Sequence, residues 1–120
     1  MKYLVCIFLL SCTLIISCRN SNNKKILGID SMKVVMWDIM KSDEVYLRIL
    51  AKDSTARKRK ENIRLYEQVF YIHHLTKGRF DSSYRFYEAH PAQFKILIDS
   101  LEAYSTREKN RFTSKHGQAN

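Results

Sequence analysis

The chain has 120 residues, 45% hydrophobic and 28% charged, with a formal net charge of +9 at pH 7. That length suits one small domain, and 3 glycines with 1 proline punctuate it too sparsely for an all-β protein. All 3 cysteines (Cys6, Cys12, Cys18) lie at or before position 18, so the rest of the chain has no disulfide, no thiolate nucleophile and no cysteine metal site.

The first segment reads as an address. Met1-Lys2 precede an uncharged run from Tyr3 to Ser17, and Ile15-Ile16-Ser17-Cys18-Arg19-Asn20 closes it. A basic start, a short apolar run and a small residue at the cleavage point form a bacterial export signal. A cysteine directly after that small residue gives it the form of a lipoprotein signal, with Cys18 the lipidated first residue of the mature protein. A signal-anchor helix is the rival reading, but the run is shorter than the roughly 20 apolar residues needed to span a bilayer. A second match ends at Cys12, and cleavage there would leave an apolar run of only about seven residues. Ile15 stands where leucine is commoner. Two acyl chains suffice for stable anchoring, so a diacylglyceryl and an amide-linked chain on Cys18 would hold permanently. No Asp follows Cys18 to mark inner-membrane retention, and no acidic cluster beside it suggests surface display. The expected location is the cell envelope, lipid-anchored in the outer membrane and facing the periplasm.

The organisation expected is a signal peptide over 1–17, a lipidated N-terminus and flexible tether over 18–29, a helical domain over 30–108 and a disordered tail over 109–120. The fold class expected is all-α, a small bundle of about four helices. Asp30 or Ser31 is the expected cap of a first helix near 31–50, where Met32, Val35, Met36, Ile39 and Met40 make one apolar stripe. Trp37 falls off that stripe, which suits a second contact or an interface. Asp53, Ser54 or Thr55 caps a second helix near 56–74, which buries Ile63, Tyr66, Val69, Phe70 and His73, with Leu65 and Ile72 widening the arc. Thr76 caps a third near 77–89, with Phe80, Tyr84 and Tyr87 on one face and Ser83 and Phe86 on the adjoining one. His90-Pro91 marks the next boundary, because the residue before proline avoids the α region and proline suits a first turn. The fourth helix, near 91–108, carries the stripe Phe94, Leu97, Ile98, Leu101 and Tyr104, and Ser105 to Asn120 have little to bury.

Cleavage before Cys18 removes Lys2 and lowers the net charge from +9 to +8. Behind a membrane, the acidic partners of such a domain are lipid headgroups, lipopolysaccharide phosphates or acidic proteins rather than nucleic acid. The charge gathers at Arg57, Lys58, Arg59, Lys60 and Arg64, which together with Trp37 form the candidate interaction surface. A lesser group is Arg107, Lys109, Arg111 and Lys115. The bland reading of both is solvated helix starts and tails that keep the protein soluble.

Motifs for chemistry are sparse. Met32, Met36 and Met40 share a face with Val35 and Ile39, which favours core packing over a thioether copper site. His73 and His74 point about 100° apart on a continuous helix and cannot chelate one ion. Phe80, Tyr84, Tyr87, His90 and Phe94 offer either a packed corner or an aromatic groove for a peptide or apolar ligand. No nucleophile triad, phosphate loop or paired-carboxylate motif stands out, so no catalytic residue, metal site or cofactor is assigned.

The stretch Phe80-Asp81-Ser82-Ser83-Tyr84-Arg85-Phe86-Tyr87-Glu88-Ala89-His90-Pro91-Ala92-Gln93-Phe94 resembles a known group. It is similar to the Bacteroidetes lipoprotein family catalogued as domain of unknown function 4296. Gly78 and the Met36 to Met40 segment fit the same pattern, and the likeness runs from about Ile29 to Tyr104. The resemblance implies a lipoprotein signal followed by a helical domain, and it implies no activity. The function expected is therefore a membrane-anchored, non-enzymatic helical interaction module of the envelope. The alternative is a chaperone-like lipoprotein binding peptides or apolar ligands in the aromatic groove, and an enzyme of unrecognised type ranks last.

Overall fold

The computed structural model describes residues 26–117, less the side chain of His116. The expected signal peptide, the expected lipid-attachment residue Cys18 and most of the expected tether lie outside the described residues, as do the last residues of the expected tail. The described chain is all-helical: α1 (Ile29–Lys52), a 3-10 turn (Ser54–Arg57), α2 (Glu61–Ile72), α3 (Lys77–Glu88) and α4 (Pro91–Gly117).

α1 is the hub. Met32 and Val35 are fully buried, Met36 and Ile39 pack against the core, and Met40, at the end of the stripe, is half exposed. Full burial of such side chains contributes about 1.5–3 kcal/mol each. The helix begins earlier than the capping pattern predicts. Gly28 occupies the N-cap with no side-chain cap, and Asp30 sits inside the first turn, where its carboxylate suits the positive helix end and pairs with Lys33 at 2.5 Å.

The second helix is shorter than the predicted 56–74. Asp53 does cap, but it caps the 3-10 turn, accepting from the Thr55 N–H at 2.9 Å and from its hydroxyl at 2.7 Å. Lys58 to Lys60 then turn the chain, with Lys60 in the left-handed region at φ 54°, so α2 starts only at Glu61. Val69 and Phe70 are buried as predicted, whereas Ile63 and Ile72 stay exposed. α2 ends in a Schellman motif: His74 adopts φ 51°, its N–H reaches Tyr71 O at 3.1 Å, and the Leu75 N–H reaches Phe70 O at 2.8 Å. Leu75 then packs against both parts of the core.

Thr76 caps α3 as predicted, accepting from the Arg79 N–H at 3.2 Å. Pro91 opens α4, where Leu97 and Leu101 are buried and Ile98 is 38% exposed. α4 continues past the expected end near 108, and the segment read as a tail is helical as far as Gly117. The Trp37 ring, presented by α1, meets Lys109 there.

The bonds between helices set their directions. Met32 near the start of α1 shares a core cluster with Leu97 near the start of α4, and Trp37 meets Lys109 further along both, so α1 and α4 run parallel. Asp38 pairs with His73, and Asp43 with Tyr66, in reverse chain order, so α2 runs antiparallel to α1. No described helix is long and apolar enough to cross a membrane.

Candidate functional site

The aromatic motif on α3 does a job that its sequence does not announce. Ser83 and Tyr87 are four residues apart and share a helix face. The Ser83 Oγ accepts from the Leu27 N–H at 2.9 Å and passes its own hydrogen to Arg79 O at 2.8 Å. One turn on, the Tyr87 hydroxyl donates to Leu27 O at 2.7 Å. Both backbone polar groups of Leu27 are thus held by side chains of α3. All three residues are buried, and burial pushes the Tyr87 phenol above its ordinary pKa. The chain arriving from Cys18 is clamped just before α1 begins. Sequence reasoning placed Ser83 beside the aromatic face and missed Leu27. A small hydroxyl one turn before a tyrosine in an otherwise aromatic run was the available hint.

The other rings of the corner pack against one another and against the core. Phe70, Phe80, Tyr84 and Phe94 form a chain of rings with successive centroids 5.4, 6.2 and 6.3 Å apart, which ties α2, α3 and α4 together. Phe80, Tyr84, Phe86 and Phe94 lie against the core formed by Leu27, Met32, Tyr87 and Leu97. His90 is exposed, stacks on Phe86 at 4.2 Å and lies with its Nδ1 2.6 Å from Phe86 O. A carbonyl only accepts, so Nδ1 carries the hydrogen. Of the five residues proposed as groove or corner, Tyr87 is buried, Phe80, Tyr84 and Phe94 are partly buried against the core, and His90 is exposed.

The basic residues separate from Trp37. Arg57, Lys58, Arg59, Lys60 and Arg64 are all exposed around the turn beyond the C-terminal end of α1. Arg59 pairs with Asp53 at 2.8 Å, and Arg64 pairs with Glu61. These bonds hold both carboxyls down, that of Asp53 at about 2, where the Thr55 hydroxyl contributes most. Arg57, Lys58 and Lys60 have no carboxylate partner among the described residues. Trp37 lies some 24 Å back along the helix axis and faces α4 instead.

Around Trp37 the structure assembles a site that sequence reasoning did not find. Trp37, Lys41, Glu44 and Arg48 repeat at helical spacing along α1, and Lys109, Arg111, Phe112 and Lys115 face them from α4. Between the helices is an open cleft of about 550 Å³. The Nζ atoms of Lys41 and Lys109 lie 5.8 and 5.7 Å from the Trp37 ring centre, within cation–π range. Trp37 off the core stripe of α1 and the cluster of cations after Arg107 were both visible separately. Only the length of α4 joins them.

His73 and His74 take different roles. His73 Nε2 donates to the Asp38 carboxylate at 2.7 Å, while His74 serves as the left-handed residue of the α2 terminus. Burial pushes the Asp38 carboxyl up, but the hydrogen bonds from Lys41 and His73 outweigh it and hold the pKa below the ordinary value. Met32 and Met36 belong to the core packing. Among the described residues, no group of three or more His, Cys, Asp and Glu is placed to hold a metal ion.

The family model for the Domain of unknown function (DUF4296) matches residues 24–111, nearly all of the helical domain, and the chain belongs to that family. No curated protein and no solved structure matches the chain.

Proposed function

We propose that this family member is a lipoprotein of the Bacteroidetes type, attached through Cys18, and that its helices form a non-enzymatic interaction module on the periplasmic side of the outer membrane. The observation that carries the reading is the clamp on Leu27, nine positions after Cys18. A chain leaving a lipid anchor needs a defined point of attachment, and Ser83 and Tyr87 supply one by holding the Leu27 N–H and C=O. The export-type sequence ending at Cys18 is what makes that end of the domain the anchored one. The basic turn with Arg57, Lys58 and Lys60 lies at the opposite end of α1, about 36 Å away, where it is offered to an acidic envelope partner.

Labelled palmitate fed to cells tests the anchor. The wild-type chain should take up label and Cys18→Ala should not; label persisting in the variant would move the anchor to another residue. Crosslinking at native expression tests the module. It should recover an envelope protein, and charge reversal at Arg57, Lys58 and Lys60 should reduce the yield; recovery of no envelope protein counts against the interaction role.

A further inference from the structure

We propose that the Trp37 cleft is a docking face for anionic phospholipid headgroups, which lays the domain along the bilayer that anchors it. The inference rests on the lipid-anchor reading and adds a second, reversible contact with the same membrane. Five cations line the cleft (Lys41, Arg48, Lys109, Arg111, Lys115) against two carboxylates, Glu44 and Glu108. Lys41 is held by Asp38 at 2.6 Å, Arg48 by Glu44 at 2.5 Å and Arg111 by Glu108 at 3.1 Å. Lys109 and Lys115 have no carboxylate partner among the described residues. They stand six positions apart on α4, about 9 Å along its axis, a spacing that suits separate phosphates on a surface better than one small anion.

The apolar lining points the same way. The Trp37 ring lies on the α1 wall of the cleft, and Phe112, 65% exposed, stands on the α4 wall opposite. Tryptophan beside lysines is the composition of a membrane interface, where the ring enters the headgroup layer and the ammonium groups meet phosphate. Reach is sufficient. Leu27 follows Cys18 by nine positions, so at about 3.4 Å per residue it is held within some 30 Å of the lipid attachment. Trp37 lies only about 15 Å further along the chain, mostly within α1.

Trp37 is the sole tryptophan, so its fluorescence reads the cleft alone. The lipidated full chain, purified from membranes, is reconstituted into vesicles of phosphatidylcholine alone or of phosphatidylcholine mixed with phosphatidylglycerol. With phosphatidylglycerol, the Trp37 emission should shift to the blue, acrylamide quenching should fall severalfold and brominated phosphatidylglycerol should quench it. Lys109→Glu combined with Lys115→Glu should abolish all three changes while leaving the helical circular dichroism intact. Unchanged Trp37 emission in a chain that floats with both vesicles overturns this inference and leaves the anchor standing. A chain that floats with neither overturns the anchor and the docking face together. If inorganic phosphate produces the same shift on phosphatidylcholine vesicles, the cleft is a soluble-anion site and the lipid assignment fails.

Discussion

His74 holds a left-handed backbone at φ 51°, a conformation that costs most L-residues about 1–2 kcal/mol and glycine little. His74→Gly should therefore stabilise the protein by about 0.5–1 kcal/mol after the entropy lost by glycine is counted, read as a higher denaturant midpoint. A lower midpoint would mean that the imidazole makes an unrecognised contact. The clamp works in the opposite direction. Ser83→Ala strands the buried Leu27 N–H and should cost about 1–3 kcal/mol, with Tyr87→Phe costing about 1 kcal/mol. Both should speed proteolysis around Leu27 and Gly28; unchanged cleavage would show that packing alone secures that segment. Tyr66 adds a pH dependence. Its hydroxyl donates to the Asp43 carboxylate, which together with partial burial pushes its pKa up to about 12. The fold favours the protonated phenol, so this contribution is complete below the unfolded value near 10 and is lost as pH rises from there through about 12. Tyr66→Phe should flatten the alkaline limb of the stability profile. Asp38 has the reverse sign: its lowered carboxyl stabilises above pH 3.8 and loses that effect as pH falls below it, so Asp38→Asn should flatten the acid limb.

Helix boundaries divide by whether their cause is local. Thr76 capping its own helix, Pro91 opening the next and the stripe of Leu97 and Leu101 were legible, because each depends on neighbours within a turn or two. The start of α1 was not, since Leu27 is held by side chains 56 and 60 positions away. The break at Lys58 to Lys60 was also hidden. Asp53 is a good cap for either an α-helix or a 3-10 turn, and no glycine marks the left-handed residue. α4 outran its apolar stripe because no proline or glycine stops it before Gly117. The Trp37 cleft was illegible for that reason, being built across two helices of which one was expected to end at its edge. Burial on α4 makes a direct comparison possible. Leu97→Ala, at a fully buried position, should cost about 2–5 kcal/mol, whereas Ile96→Ala, at a 55% exposed position one residue earlier, should cost well under about 1 kcal/mol. Equal losses would mean that α4 is rotated about its axis, with Ile96 as well as Leu97 facing the core.

At the scale of the molecule, α1 separates two chemically different ends. Leu27 and its clamp secure the end nearest Cys18, and the cations Arg57, Lys58 and Lys60 occupy the other. On the proposed reading, the cleft on the flank between α1 and α4 lets the domain lie along the membrane rather than stand off it. Under the proposed function, Cys18 matters more than any residue of the bundle. Mass spectrometry of the N-terminal peptide from membrane-extracted protein tests it most directly. The expected result is a peptide beginning at Cys18 with a diacylglyceryl thioether and an acylated amine. A peptide still carrying Met1 or Lys2, or an unmodified Cys18, would contradict it.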